Sequence, residues 1–425
     1  VLSKLDSLTE INISELTPRR FTIESTYILY EQQDLGTTGS GTFIIKGRTD
    51  NAEDSIIDML GHNAFDLENE TTFSVSGIAI KNASNALVLD NDDAIASITN
   101  SIFENNSAFA SGGAVYWKGN NGRIIDSKFS GNHIISELSS EPIVGGAVLW
   151  VGNNGTIINS TFINNSVTAD EFMEDVFGGA ICWNGTEGRL MDSIFINNSV
   201  GMFLGGAVHW ESYSASIDNC TFISNSAYSG GALCIAGESS IIINSSFISN
   251  EATEGGAIYW EGDKGNLLDC RFINNTASFG AVSWDGSFGL LDKCAFISNR
   301  INETSSYNRI KSSGVYWHGK NGTISNSIFD DEGADIEAYY GTYRPNDSGN
   351  FWGICFNSSN EIINAKVINH NGNYVSVNSW IKIRMEGPEH IERQGTYDYF
   401  ACFVSNNGDE LTAMMPDYEI GRAHV

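Results

Sequence analysis

The chain has 425 residues and a formal net charge of −29, from 23 Lys+Arg against 52 Asp+Glu. That balance excludes a nucleic-acid binder working by phosphate neutralisation, which needs a basic surface. Hydrophobic residues make up 41%, which suffices for a large core, and no apolar run is long enough to cross a membrane.

Residues 1–60 read as an N-terminal cap and irregular first coils, and residues 61–355 as a regular repeat. Through residues 21–100 apolar and polar positions alternate, as in Phe43-Ile44-Ile45, Phe73-Ser74-Val75 and Ile78-Ala79-Ile80, the period of a strand. A cap is expected because an open solenoid end exposes unpaired strand edges.

From Phe103 onward a repeat takes over. Phe recurs at 103, 129, 162, 195, 222, 247, 272, 296 and 329. Trp recurs at 117, 150, 183, 210, 260, 284 and 317, with Ile235 in the one empty slot. Each Trp slot precedes the next Phe by 12 residues, while the step from Phe to Trp varies from 12 to 21. A fixed coil with its length variation confined to one connection is the mark of a solenoid. The shortest unit is 24 residues, too short for a helix pair and suited to three short strands with turns. The fold class is therefore all-β, a right-handed parallel β-helix solenoid, because parallel crossovers are right-handed.

The columns can be assigned. Three residues after each Phe stands Asn (106, 132, 165, 198, 225, 250, 275, 299), predicted to sit at a left-handed corner and to bond amide to amide along the axis. Two before the Phe stands a small residue, Ser101, Ser127, Ser160, Ser193, Cys220, Ser245, Cys270, Cys294 or Ser327, predicted to point inward. The Trp shares parity with an aliphatic residue two positions before it, which predicts a core ladder and not a sugar-stacking platform. Seven after the Trp slot comes Ile or Leu, out of phase with the Phe, so a corner must lie near Asp126, Asn159, Asp192 and Asp269. Gly-Gly-Ala, as at Gly112-Gly113-Ala114 and Gly255-Gly256-Ala257, supplies a tight turn before the Trp strand.

Phe-x-x-Asn followed by Gly-Gly-Ala-(Ile/Val/Leu) resembles the repeat of the chlamydial polymorphic outer-membrane proteins. With the Trp, the Asn-Asn-Ser sequons and the closing Asn350-Phe351-Trp352-Gly353, the chain resembles adhesin-like surface proteins of methanogenic archaea over roughly residues 70–355. The resemblance implies a secreted, surface-displayed β-helix, often followed by immunoglobulin-like modules, and implies no catalytic residue.

After Gly353 the repeat stops. Residues 362–368, 374–377, 380–385 and 397–404 read as antiparallel strands, with Asn407-Gly408 as a hairpin signal. Residues 356–419 are thus expected to be a truncated immunoglobulin-like β domain, a partial β-sandwich. The chain starts at Val1 rather than Met, and Ile420-Gly421-Arg422-Ala423-His424-Val425 matches one reading frame of a sequencing adapter. Residues 420–425 are therefore expected to be a scar outside the fold.

The seven cysteines do not have zinc spacing. Cys270 and Cys294 share one inward column on adjacent coils, a geometry that admits a disulfide. The column otherwise holds Ser, which favours free thiols as small core fillers.

Residues flanking each Trp have the opposite parity and are expected to face solvent. They place Glu261, Asp285 and His318 on three successive coils beside Tyr259 and Tyr316, the expected binding face. Two carboxylates about 5 Å apart suit retaining glycoside hydrolysis, so Glu261, Asp285 and His318 are also the alternative catalytic set. Calcium between Glu261 and Asp285 competes with that reading. The long connections 133–144, 166–177 and 301–312 enlarge one corner, and the second carries Asp170, Glu171, Glu174 and Asp175, an alternative cation site. Sequons at Asn105, Asn164, Asn197 and Asn274 fall at one turn position and would form a glycan row.

The expected function is an extracellular, cell-surface, non-catalytic adhesin or stalk presenting a rigid face to host or microbial surface glycans or proteins. It is expected to be a monomer without nucleic-acid partners, and without a cofactor unless calcium binds. A β-helix polysaccharide lyase or hydrolase and a passive surface scaffold are the alternatives.

Overall fold

The computed structural model describes residues 49–136 with short breaks, 142–169, 175–302 and 312–331, and shorter stretches reaching back to Arg19 and on to Ser405. It is a parallel β-helix. Three long sheets run its length, of 15, 12 and 12 strands among the described residues, and every ladder is parallel except one. In each coil a Trp strand such as Val148–Trp150 leads to an aliphatic strand such as Thr156–Ile158 and then to a Phe strand such as Thr161–Ile163.

Successive coils pair without offset, so each residue sits on its own counterpart. Phe129 pairs with Phe162 and Phe162 with Phe195, and Trp150 pairs with Trp183. Identical inward residues thereby become ladders. Phe rings stack with centroids 4.7–5.0 Å apart from Phe103 to Phe329. Trp rings stack at 4.3–4.8 Å wherever two Trp coils are adjacent. The Trp column is fully buried and Ile235 fills its slot in the same core, so it is interior and offers no platform to sugars.

The Asn column also lies inside. Each Asn donates Nδ2–H to the Oδ1 of the next at 2.9–3.0 Å, from Asn106 through Asn275 to Asn299. Its other Nδ2–H meets a Phe carbonyl, as Asn165 does Phe129 O at 3.0 Å. One detail departs from expectation. The left-handed residue is not the ladder Asn but the one before it, as at Asn105 (φ 54°), Asn164 (φ 54°) and Ser249 (φ 55°). The corner therefore turns just ahead of the Asn, leaving its side chain free to run along the axis. The second corner falls where the phase change requires it, at Asp126, Asn159, Asp192 and Asp269.

The Gly-Gly turn divides its labour. The first glycine takes positive φ, 72° at Gly145. The second is pressed against the next coil: a Cβ on Gly146 would lie 2.1 Å from the Gly179 carbonyl oxygen.

The five described cysteines whose side chains are placed, Cys182, Cys220, Cys234, Cys270 and Cys294, are free thiols. Cys270 and Cys294 donate to the carbonyls of Leu268 and Asp292, two residues back, as Ser127 and Ser160 do to Ile125 and Ile158. Cysteine here takes serine's place in the same bond.

The ends differ from expectation. Strands Arg19–Ile23 and Thr42–Gly47 already pair in parallel, so coils begin within the first 60 residues. Beyond residue 355, Val367–Asn369 and Ser376–Glu386 pair in parallel with the last coils, and only Ser376–Glu386 with Phe400–Ser405 is antiparallel. No immunoglobulin-like sandwich is seen among the described residues. The expected strands 374–377 and 380–385 are one continuous strand, because the sheet edge left by the last coil takes up any β-prone segment that follows. The segments 351–353 and 406–425, with the hairpin signal and the expected scar, lie outside the described residues.

Candidate functional site

The outer surface at the Gly-Gly bend carries the chemistry. Three residue columns meet there. Just before the Gly pair, Ser111, Val144, Phe177, Leu204, Ser229, Glu254 and Phe279 bridge from coil to coil. Just before the Trp, Tyr116, Leu149, Cys182, His209, Cys234, Tyr259, Ser283 and Tyr316 do the same. Just after it come Glu211, Ala236, Glu261, Asp285 and His318.

These columns were expected to face solvent. They do point away from the Trp core, but Leu149, Cys182, His209, Cys234 and Ser283 are buried. The reason is the bend. The column before the Gly pair folds over the column before the Trp, and the two make contact. Phe177 stacks on His209 at 4.5 Å, Phe279 lies 5.2 Å from Tyr316, and Val144 packs with Leu149 and Cys182. The surface is therefore a groove running along the axis, with a floor and two walls.

Its two halves differ. Toward the N-terminus the groove is apolar, lined by Val144, Phe177, Leu149 and Cys182. The described strands of the two long connections, His133–Ser136 with Ser166–Ala169 and Ile143–Val144 with Val176–Phe177, pair to form a lip on this half. Asp170, Glu171 and Glu174 lie outside the described residues, and Asp175 is exposed.

Toward the C-terminus the groove is polar and acidic. Glu254, Tyr259 and Glu261 lie on one coil and span both walls and the floor. The Tyr259 hydroxyl donates to Asp285 Oδ2 at 3.0 Å, and His318 Nδ1 lies 3.3 Å from Asp285 Oδ1. The coil before is small across the groove, with Ser229, Cys234 and Ala236. This leaves His209, whose Nε2 is 2.9 Å from Glu211 Oε2, close enough to act on Glu261.

The electrostatics follow from this crowding. Burial pushes the Glu261 carboxyl upward, opposed by His209 and by a hydrogen bond with Tyr259. Glu254 is raised by burial and by the charge of Asp285. Burial, with Asp285 and Glu261 beside it, holds the Tyr259 hydroxyl protonated far above its usual range. The bond to Asp285 raises His318. The one to His209 lowers Glu211.

The structure thus brings together all five predicted residues, Tyr259, Glu261, Asp285, His318 and Tyr316, on one stretch of groove. Sequence reading missed Glu254. Its signal was available, since a residue five positions ahead of the column before the Trp recurs through the regular coils. Among the described residues no three His, Cys, Asp or Glu side chains converge as a metal site would require.

No family model matches the chain, and no curated protein matches it. Among solved structures it is similar to the tailspike protein of E. coli bacteriophage HK620 in complex with a pentasaccharide, at 12% identity and a TM-score of 0.34, over 90% of this chain and 77% of that one. A doubly substituted form of that tailspike, also with pentasaccharide, matches at 12% identity and a TM-score of 0.32 over the same shares. The likeness is one of fold alone.

The sequon column stands apart from the groove. Asn105, Asn164, Asn197 and Asn274 are exposed at the corner that follows the Phe strands.

Proposed function

We propose that this chain is an extracellular, surface-displayed stalk of adhesin type that holds a glycan along the groove. One observation carries the reading. A long outer groove presents aromatic edges (Tyr259, Phe279, Tyr316) beside side-chain acceptors (Glu254, Glu261, Asp285), the mixture that sugar rings with apolar faces and hydroxyl rims require. The rigid ladders beneath keep those groups at strand spacing, so successive coils match successive sugar units without an ordering cost at binding. The acidic surface disfavours uronate and sulfated polymers and favours neutral or amino glycans. No described helix is long and apolar enough to cross a membrane.

The test is retention of the full chain on immobilised mucin, plant and microbial polysaccharides. At least one neutral or amino polymer should retain it, and Tyr316→Ala or Asp285→Ala should weaken retention about tenfold, the loss of one well-made contact. Retention on none of the panel would sink the reading and leave a passive scaffold. Protease treatment of intact source cells should remove the chain if it is displayed, and an intact chain would refute display.

A further inference from the structure

The two carboxyls at the centre of the groove are not equivalent. Asp285 is held from both sides, by the Tyr259 hydroxyl at 3.0 Å and by His318 Nδ1 at 3.3 Å. Both partners favour its ionised form and fix its orientation. Glu261 stands one coil earlier, joined through the backbone by the Asp285 N–H to Trp260 carbonyl bond at 2.7 Å. No Lys or Arg pairs with it among the described ion pairs. The Tyr259 hydroxyl interacts with both carboxyls, which keeps them within about two hydrogen-bond lengths, roughly 5–6 Å, of each other. That range contains the separation of about 5–5.5 Å used by retaining glycosidases and excludes most of the wider inverting range.

We propose that the groove hydrolyses the glycan it holds, with Glu261 as the proton donor and Asp285 as the nucleophile. The inference rests on the groove's being a glycan site and goes beyond holding to cutting. Burial raises Glu261, which keeps a proton available in mildly acidic solution and so supports the donor role. In the first step the Glu261 proton passes to the glycosidic oxygen, the bond from that oxygen to the anomeric carbon breaks, and an Asp285 oxygen bonds to that carbon. One sugar fragment leaves as an alcohol. In the second step Glu261, now a carboxylate, takes a proton from water, the water oxygen bonds to the anomeric carbon, and Asp285 is released. The sum is one glycosidic bond and one water consumed, two chain ends formed, and anomeric configuration retained. His318 and Tyr259 are positioning residues for Asp285.

The experiment uses the full chain, its Glu261→Gln form and its Asp285→Ala form with the polysaccharide that retains the wild type best. Reducing ends are measured from pH 4 to 8, with the product anomer followed by NMR. We expect release by the wild type with retained configuration. Glu261→Gln should lower it by at least 100-fold, in line with the loss of a general acid, while retention changes by less than a few-fold. Azide should restore turnover to Asp285→Ala and give a glycosyl azide of inverted configuration. A matching circular-dichroism melt guards against a folding defect. Retention without release by the wild type overturns hydrolysis and leaves the glycan reading standing. Neither retention nor release sinks both. Release that survives Glu261→Gln overturns the assignment of the pair.

Discussion

Asp331 Oδ1 accepts both the backbone N–H of Asn299 at 2.7 Å and its Nδ2–H at 3.1 Å. This is the bond pair that each Asn makes to the next along the ladder, so Asp331 is its final rung. The ladder has a direction: every side chain gives its amide hydrogens onward and backward and accepts on Oδ1. The last member need only accept, and a carboxylate does so without leaving an amide donor unpaired. Asp331→Asn keeps the acceptor and should shift the thermal midpoint by a degree or two. Asp331→Leu strands two buried donors and should cost about 2 kcal/mol or more in urea melts.

A rung inside the ladder should matter more. Asn225 accepts two bonds from Asn198 and donates to Asn250 and to the Phe195 carbonyl. Asn225→Leu fits the volume but strands donors and acceptors on both neighbouring coils. We expect a loss of about 3 kcal/mol or more, read as a lowered urea midpoint with hydrogen exchange rising first at coils 198–250.

The paired glycines test backbone contact. Gly146→Ala would set a Cβ 2.1 Å from Gly179 O and 2.6 Å from Ser166 O, both backbone atoms of the next coil. The coils must part locally, at a cost of about 1–3 kcal/mol or more. Gly201→Ala, with nothing within 4 Å, should change the melt by less than 0.5 kcal/mol and serves as control.

The groove should show two opposite pH signatures. Glu261 and Glu254 are raised in the folded state, so the fold binds more protons than the unfolded chain just above the usual carboxylate range. Their contribution lowers stability as pH rises through that window, and Glu261→Gln should raise the neutral-pH melting temperature with the gain gone by about pH 4. His318 is also raised, but as a base. Its bond to Asp285 adds stability that is complete below the usual imidazole range and fades as pH climbs through the higher folded value. His318→Gln should therefore cost more at pH 5.5 than at pH 8.5. Equal cost at both would refute the pairing.

Thiol labelling checks the core. Cys182, Cys220, Cys234, Cys270 and Cys294 are buried, and burial pushes the Cys220 thiol up to about 12. A maleimide should leave all five unmodified in the native chain and label all five in denaturant. A Cys270–Cys294 pair that stays unlabelled until a reductant is added would reveal a disulfide instead.

The sequence by itself determined the repeat, because a solenoid maps one residue column onto one position in space. Phe, Trp, Asn and the small Ser/Cys positions could be sorted into an interior by spacing and parity alone, and all of them are inside. Glu261, Asp285 and His318 could be aligned for the same reason. What spacing could not supply was curvature. Parity tells which side of a strand a residue leaves from, but the bend at the Gly pair decides whether that side is open or folded on itself. That bend buried Leu149, Cys182 and His209, made a groove of an expected flat face, and carried Glu254 into it from a segment with no motif. Only the tertiary structure decided the tail as well: strands 367–369 and 376–386 joined the solenoid, because an unpaired sheet edge competes with any new domain for the hydrogen bonds of the chain that follows it.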